Sequence, residues 1–317
     1  GGAWNIVYAG VKNAPAESAD WKQNVNTVLP EIPVVAERPY LYLDPATQDY
    51  RVFVPAVRHQ ALGVSWQPGQ PGEGKSLGLD RFYIASPSRD TAQTINAALQ
   101  AGKNLIFQPG IYHLQESIRI LRPDTVVLGL GFATLMPENG VIGLDVADVS
   151  GVRIAGVLLD AGEGPSPALV RVGTEKTSRR HADNPVILSD IVCRIGGDRL
   201  GRAVVGMEIN SNDVVGDHFW IWRADHGKEV AWNKNTAKNG LVVAGDHVTT
   251  YGLMVEHFQE YQTLWKGDAG RAYFYQSEIP YEVPEQSVWM SHEGKVNGYA
   301  SFKVEDSVKS FAGYGFG

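Results

Sequence analysis

Cysteine is nearly absent from this sequence: Cys193 is the single one among 317 residues. An internal disulfide is therefore excluded. Cys193 lies in the apolar run VILSDIVCRI, which is typical of a small buried hydrophobic residue rather than of a nucleophile. The lack of cysteine leaves the compartment open, because exported proteins do not all depend on disulfides.

Basic clusters and long apolar runs are also missing. The formal net charge is −7, with no block of Lys or Arg, whereas a nucleic-acid binder normally carries a positive stripe. No apolar run reaches the length of a membrane-spanning helix. We therefore expect neither nucleic acid among the partners nor a membrane span.

Helix-forming runs of Glu, Lys and Leu are few, whereas glycine is plentiful at 35 residues. This composition favours many short strands joined by tight turns. A chain of this length can bury a large core in one long domain or in two shorter ones. Gly1 is not a natural start, and we expect that an export signal has been removed and that the protein is secreted.

Residues 1–76 are predicted to form an irregular N-terminal connector with a few strands. Residues 4–10 alternate like a strand, and residues 41–57 contain two strand-like runs joined by a Pro-containing turn. The clearest linker is the Gly/Pro-rich loop QPGQPGEGKS at 67–76. We place a domain boundary after it, with a second unit over residues 77–317.

One helix is predicted, over residues 91–99, and it directly precedes a series of strands. Asp90 can cap its start and Gly102 can end it. Three apolar residues fall on one face of this helix: Ala92, Ile95 and Leu99.

Similar strand-like segments then recur along the chain. Four of them begin at valines separated by 34, 28 and 34 residues: Val152, Val186, Val214 and Val248. Val126 lies 26 residues before this series, and Val308 lies 60 after it, which would be two further repeats. A period near 30 with strands and no helices predicts an all-β, right-handed, single-stranded parallel β-helix, with the short helix covering its open end. A β-sandwich is the alternative, but few two-residue hairpin turns are visible.

The segment HFWIW carries the first candidate binding residues. Neighbouring residues of a strand point to opposite faces, so if Phe219 and Ile221 point into the coil, Trp220 and Trp222 point outward. A shift of 34 residues places Glu256 beside this pair. Exposed tryptophan next to a carboxylate suits stacking on a sugar ring. The alternative is that the tryptophans merely cover the coil beneath a long loop.

Several segments together resemble a known family. They are FYIASPSRDTAQTINAALQAGKNLIFQPGIYHL, TVVLGLGFATL, GVRIAGVLLDAG, WIWRADHG, YGLMVEHFQEYQTLWKG and FYQSEIPYEVP. Together they resemble glycoside hydrolase family 55, the exo-β-1,3-glucanases or laminarinases of the pectate-lyase-like superfamily. The resemblance implies two tandem β-helices with the active site between them. This chain is similar to the connector and the second helix, so we expect a fragment or half of an assembly, completed by a second β-helix domain or chain.

The resemblance also implies site residues. It identifies Glu278 in QSEIPY as the catalytic acid. An inverting enzyme also needs a second polar group across a groove, and Asp225 and Glu256 are the candidates within this chain. The alternatives are that Glu278 caps a turn before Pro280 and that Asp225 pairs with Arg223 to fix a bend. The substrate-binding candidates are Trp220, Trp222, Gln262, Gln276, Ser277, Tyr281, His226 and Arg223.

No cofactor or metal is predicted. A metal site is suggested by three acidic-histidine pairs: Asp217-His218, Asp246-His247 and Glu256-His257. Neighbouring side chains of a strand point to opposite faces, so the two residues of a pair cannot bind the same ion. Calcium would need three carboxylates converging from successive coils. The predicted function is hydrolysis of a β-1,3-linked glucan, with a polysaccharide or oligosaccharide as substrate. The alternatives are a polysaccharide lyase and a non-catalytic carbohydrate-binding β-helix.

Overall fold

A computed structural model describes residues 5–22 and 25–317 of the protein. The strands before the helix are β1 (Asn5–Ala9), β2 (Val25–Leu29), β3 (Ile32–Val35), β4 (Tyr40–Leu43), β5 (Tyr50–Pro55), β6 (Arg58–Ala61), β7 (Gly74–Gly78) and β8 (Phe82–Ala85). The helix α1 spans Ala92–Gln100, and two 3-10 turns span Leu79–Arg81 and Gln286–Val288. Trp4, where the first strand was predicted to begin, lies outside the described residues.

The remaining strands follow the helix. They are β9 (Asn104–Phe107), β10 (Ile111–Leu114), β11 (Ile118–Ile120), β12 (Val126–Pro137), β13 (Leu144–Val146), β14 (Arg153–Asp160), β15 (Ser166–Val172), β16 (Ile187–Ile195), β17 (Ala203–Ile209), β18 (Val215–Arg223), β19 (Asn239–Val243), β20 (Thr249–Glu256), β21 (Thr263–Trp265), β22 (Gly270–Glu278), β23 (Met290–Ser291), β24 (Val296–Asn297), β25 (Phe302–Val304) and β26 (Phe311–Phe316).

Successive strands alternate between two parallel sheets, as a parallel β-helix requires. The larger sheet has the order β26-β22-β20-β18-β16-β14-β12-β9-β8, and the smaller one has the order β11-β13-β15-β17-β19-β21-β25. Each coil therefore adds one strand to each sheet. The predicted fold class is confirmed, and crossovers between parallel strands of one sheet are almost always right-handed.

The repeated valines mark the coils. Val152, Val186, Val214 and Val248 are fully buried and lie one above another. The carbonyl of each of the first three accepts from the amide of the residue that follows the next valine in the series. The extrapolation beyond them is wrong. Arg153 pairs with Val126, so the residue below Val152 is the one before Val126. In the last coils Gly270 and then Phe311 continue the ladder, and Val308 does not take part.

The long strands of the larger sheet are bent at one corner. A single residue with positive φ occupies this corner in each of six successive coils: Gly156, Asp190, His218, Gly252, Phe274 and Gly315. Glycine adopts this left-handed conformation freely, and Asn, Asp and His adopt it more often than most other residues. Since one left-handed residue turns the chain, the inward and outward positions exchange across the corner. The outward side before the corner is called the covered face below, and that after it the open face.

The N-terminal segment packs on the covered face. Val52 of the antiparallel sheet β4-β5-β7 joins a buried apolar cluster with Phe82, Leu128 and Ala155. Farther along the face, Ala36 packs against residues of β16 and β18. The Tyr251 hydroxyl donates to the carbonyl of Val34 at 2.8 Å, and Arg38 forms an ion pair with Asp190 at the corner. The division at residues 76 and 77 stays a prediction, although β7 continues across it.

The helix lies at the first coil, as predicted, but its cap differs. Thr91 is the N-cap: its side chain accepts from the amide of Thr94, whose own side chain bonds back to the amide of Thr91. Asp90 instead accepts from the Tyr83 hydroxyl and the Ser86 amide. Within the described residues α1 is the single α-helix. Its predicted apolar face is buried against the coil end: Ala92, Ile95 and Leu99.

Candidate active site

Three candidate residues lie in one row on the open face. Trp222 pairs with Glu256 on the next strand, and Glu256 pairs with Glu278 on the strand after it. A second row, two residues earlier on the same strands, holds Trp220 and Gln276 with Met254 between them. In-register parallel strands thus bring together residues that are widely separated in the sequence.

The two tryptophans form a stacked pair. Their ring centroids are 5.3 Å apart, with an angle of 20° between the planes. Trp220 is 40% exposed, and its indole nitrogen donates to Glu256 Oε2 at 3.0 Å. Trp222 is half-buried and packs against the exposed His226 ring. The predicted outward orientation is confirmed, and Phe219 and Ile221 lie inside as expected.

Glu278 ends its strand with its carboxyl group reachable from solvent. The side chain is 42% exposed, so its aromatic neighbours do not enclose it. The Tyr281 hydroxyl donates to Oε2, and Gln276 Nε2 lies 3.4 Å from Oε1. The hydrogen bond to Glu278 raises the pKa of Tyr281. No backbone amide in residues 5–22 and 25–317 donates to this carboxylate, which argues against a turn cap.

Asp225 faces Glu278 across a histidine. His257 Nε2 lies 3.8 Å from Asp225 Oδ1 and 3.9 Å from Glu278 Oε2. Asp225 also accepts from His226 Nδ1 at 2.8 Å. Burial pushes the pKa of Asp225 upward, but the hydrogen bonds from His226 and from its own backbone amide and the nearby imidazoles outweigh burial and hold the pKa below its ordinary value. Asp225 is therefore an anion at neutral pH.

Three predicted substrate-binding residues do not reach the open face, and their predicted roles are wrong. Arg223 is 0% exposed, donates to the carbonyls of Asn235 and His257, and pairs with Glu282. The partners of Arg223 are therefore two backbone carbonyls and Glu282. The alternative expectation, that Arg223 pairs with Asp225 to fix the bend, is not found among the described residues.

The other two residues whose predicted roles are wrong are Gln262, which closes a turn, and Ser277, which lies on the inward side of its strand. Gln262 is also 0% exposed, and its amide group accepts from the Phe258 amide at 2.6 Å and donates to the Phe258 carbonyl at 3.0 Å, closing a turn. Ser277 is in register with the buried Val255, on the inward side of the strand. Neither side chain points toward the open face.

Two residues of the site were not predicted. His257 was considered only as one half of a metal-binding pair. It follows Glu256 directly in the sequence, and Glu256 belongs to the outward row. Glu282 had no recognisable signal, because its partner Arg223 comes from a strand 59 positions earlier in the numbering. Tyr281 was predicted, and its ring packs on His257 with 4.7 Å between centroids.

A cleft leads away from this site along the open face. Its volume is about 790 Å³, and it lies between the connector residues 38–41 and the outward side chains of the long strands. Trp220 and Met254 close one end of the cleft, and Phe132 lines it farther along. Most of its lining side chains are apolar. Of the site residues, Trp220 lines this cleft, so the cleft adjoins the tryptophan pair.

No group of three His, Cys, Asp or Glu side chains that could hold a metal ion occurs in the described part of the chain. Among the same residues, no helix has both the length and the apolar character needed to cross a membrane.

Comparison with known proteins decides the family. The sequence model of the LAM55 pectate lyase-like domain matches residues 82–278, from the strand before the helix to Glu278 itself. The chain belongs to the LAM55 pectate lyase-like family. The family match thus covers the long strands and the row that ends in Glu278.

Relatives of this LAM55 chain extend the comparison. An exo-beta-1,3-glucanase from Streptomyces sp. (strain SirexAA-E / ActE) is 48% identical over all of this chain and 51% of its own length. The structure of sacteLam55A from Streptomyces sp. SirexAA-E has a TM-score of 0.93 at 48% identity, covering 99% of this chain and 56% of the other. A variant of sacteLam55A in complex with glucose gives 0.92 at 47% identity, with 98% and 55% covered. The LAM55 chain therefore spans about half the length of these relatives.

Proposed function

We propose that this protein is a glycoside hydrolase that cleaves β-1,3-linked glucan, with Glu278 as the general acid. The observation that carries the proposal is the row of Trp222, Glu256 and Glu278 on the open face. It presents a solvent-reachable carboxyl group beside stacked aromatic rings. The relatives named for exo-beta-1,3-glucanase activity and for a glucose complex support this substrate class.

The reaction needs two groups. Glu278 gives its carboxyl proton to the glycosidic oxygen while the bond from that oxygen to the anomeric carbon breaks. One water attacks the anomeric carbon from the opposite side of the ring and passes a proton to a second carboxylate. Exchange with solvent then returns both carboxyl groups to their starting charge.

Asp225 and Glu256 are the two candidates for that second carboxylate. His257 Nε2 lies 3.8 Å from Asp225 Oδ1 and 3.9 Å from Glu278 Oε2, so these two oxygens can be no farther apart than the sum of the two distances. Separations up to this limit include the lower part of the roughly 6.5–9.5 Å range that an inverting pair needs to admit water, and Asp225 is held as an anion that can accept the proton. Glu256 lies on the neighbouring strand and is held by the Trp220 indole. We therefore place Asp225 first as the base and assign Glu256 to orienting the tryptophan pair.

The rest of the proposal concerns the polymer. Tryptophan rings stack on the C–H faces of pyranoses while nearby polar groups take the hydroxyls. Trp220 and Trp222 supply the rings, and the adjoining cleft has room for further sugar units. Because polymeric glucan is met outside the cell, the proposal includes an extracellular location. It also includes a second β-helix unit that completes the site, since the relatives are about twice as long.

The test uses Glu278→Gln in the complete product of the gene. Glutamine keeps the shape of the side chain but has no acid proton. Laminarin hydrolysis should fall by at least the roughly 10²–10⁴-fold that general acid catalysis contributes. The matched control is Glu175→Gln, an exposed carboxylate on the turn after β15, which should keep wild-type turnover. Near-wild-type turnover of Glu278→Gln would remove Glu278 from the mechanism.

The products separate the alternatives. Reducing ends without an ultraviolet-absorbing unsaturated sugar indicate hydrolysis, whereas the unsaturated product indicates a lyase. Retained affinity without either product indicates a binding module. Proton NMR of the first-formed sugar gives the stereochemistry, and α-configured product is expected from an inverting attack on a β-linkage.

A further inference from the structure

We propose that His257 is a positioning residue for hydrolysis: its Nε2 atom fixes the arrangement of Asp225 and Glu278 around the bond to be cleaved. This inference rests on the proposed function and goes beyond it, because it adds a residue that neither donates the proton nor stacks on the sugar. It follows from the contacts of the ring on all sides.

The two ring nitrogens have different tasks. His257 Nδ1 lies 3.0 Å from the carbonyl oxygen of Ile279. A carbonyl oxygen can only accept, so Nδ1 carries a proton and donates. Nε2 is then the atom that faces the two carboxylates, at 3.8 Å from Asp225 and 3.9 Å from Glu278. The two distances are nearly equal, and each exceeds the length of a direct hydrogen bond, so Nε2 lies midway between the two carboxylates.

The ring is held so firmly that these distances are properties of the fold. His257 is 3% exposed, and its backbone is left-handed with φ of 66°. Its amide donates to the Glu278 carbonyl at 2.8 Å, and its carbonyl accepts from Arg223 Nη1 at 3.0 Å. Tyr281 packs on the face of the ring. A ring fixed along its backbone, one edge and one face leaves a single direction for Nε2.

The surrounding charges also support a positioning role. Arg223 is buried, and its charge is matched by Glu282 on the loop that carries Tyr281. This pair ties the loop to the ends of the strands, and the loop in turn supplies the Ile279 carbonyl that orients the ring. The groups facing His257 are therefore two carboxylates, one phenol and an arginine that reaches only its backbone: Asp225, Glu278, Tyr281 and Arg223. Tyr281 also lies near both carboxylates, since its hydroxyl donates to Glu278 and the Asp225 charge contributes to the raised pKa of Tyr281. His257 differs from it in placing one ring nitrogen at nearly the same distance from each carboxylate.

Two substitutions separate Nε2 from the rest of the ring. His257→Asn suits the left-handed backbone and keeps an amide near the Nδ1 position, but it leaves the Nε2 position empty. His257→Gln places an amide near Nε2 and gives up the bond to Ile279. We expect His257→Asn to lower kcat on laminarin by roughly 10²-fold, the cost of a small misplacement of catalytic groups, with KM and melting temperature nearly unchanged. His257→Gln should retain clearly more kcat.

The matched control is His247→Asn, which replaces another left-handed histidine on a turn outside the site. It should keep wild-type kcat and thereby show that the exchange itself is tolerated. Wild-type kcat in His257→Asn would overturn the inference, as would a larger loss in His257→Gln than in His257→Asn. A KM effect alone would also overturn it, since it would make His257 a ligand-binding residue.

Failure of the proposed function would be visible separately, as an inactive wild type. In that case the inference is tested by carbon NMR of the labelled side-chain carboxyl groups. The titration curve of Asp225 should move in His257→Asn relative to wild type and His247→Asn, because the nearby His257 contributes to the lowered pKa of Asp225. An unmoved curve would show that Nε2 does not act on Asp225.

Discussion

The covered and open faces are made by the same strands, a few residues apart, yet they differ in chemistry. Before the corner, β16 and β18 present Ile187 and Val215 to the N-terminal segment. After the corner, β18, β20 and β22 present Trp222, Glu256 and Glu278 to solvent. Most inward residues are apolar on both sides. The two faces thus share one apolar interior, and they differ in what lies against each of them.

The difference shows where changes are tolerated. A residue on the covered face has neighbours above, below and opposite it, so its removal leaves a cavity. A residue on the open face has neighbours mainly within the sheet, so its side chain can be selected for contact with a ligand. This comparison leads to three predictions, which begin with the covered face.

Phe82→Ala should have the largest effect on stability. Phe82 is buried between the connector sheet and the first strands of the coil, and truncation of a buried phenylalanine costs about 3–5 kcal/mol. Urea unfolding followed by circular dichroism measures the loss. Laminarin hydrolysis per folded molecule should stay at the wild-type level, because the site lies beyond the corner. A loss below about 1 kcal/mol would mean that the connector is not part of the folded unit.

Trp222→Ala should show the opposite pattern on the open face. Loss of one stacking ring should raise the Kd for a laminari-oligosaccharide roughly 30-fold, about 2 kcal/mol, as for a central contact residue. The free energy of unfolding should change much less than in Phe82→Ala, since Trp222 is half-buried. Calorimetric titration and thermal melting measure the two quantities. A drop in stability of about 3–5 kcal/mol with unchanged binding would make Trp222 a core residue.

The sequence predicts the coil well because the coil repeats. Most inward residues are apolar, so Val152, Val186, Val214 and Val248 reveal the register directly. The same alternation correctly places Trp220 outside. Continued past Trp222, the alternation also places Arg223 inside, two positions after Ile221. The substrate-binding role predicted for Arg223 did not take this into account. The error came from judging a charged side chain by its type rather than by its strand position.

Other parts of the site could not be predicted in this way. The Arg223–Glu282 pair joins a strand end to a loop of irregular length, and no periodicity connects them. The left-handed corner at His218 has no fixed residue type, since Gly, Asp, His and Phe all occupy it. The contact of Tyr251 with Val34 spans most of the chain. These features depend on the stacking of distant segments, which a local pattern does not record.

Asp217→Asn should give the smallest effect, and it tests whether the covered face penalises charge. Asp217 lies on that face in register with Tyr251. Burial, followed by the nearby carboxylates of Asp190 and Glu37, raises the pKa of Asp217 above its ordinary value of 3.8.

The sign of the pH dependence follows from that raised pKa. Between the unfolded and folded pKa values of Asp217 the folded protein binds more protons, so stability decreases as pH rises through this interval and stays reduced above it. Asparagine removes the penalty, and Asp217→Asn should be more stable than wild type at pH 7 by about 0.5–2 kcal/mol. The difference between the two proteins should vanish as pH falls below the ordinary carboxyl value. Urea unfolding of both proteins across this pH range measures it. A variant that is less stable at pH 7 would show that the covered face accommodates this charge and that the contrast with the open face does not extend to carboxylates.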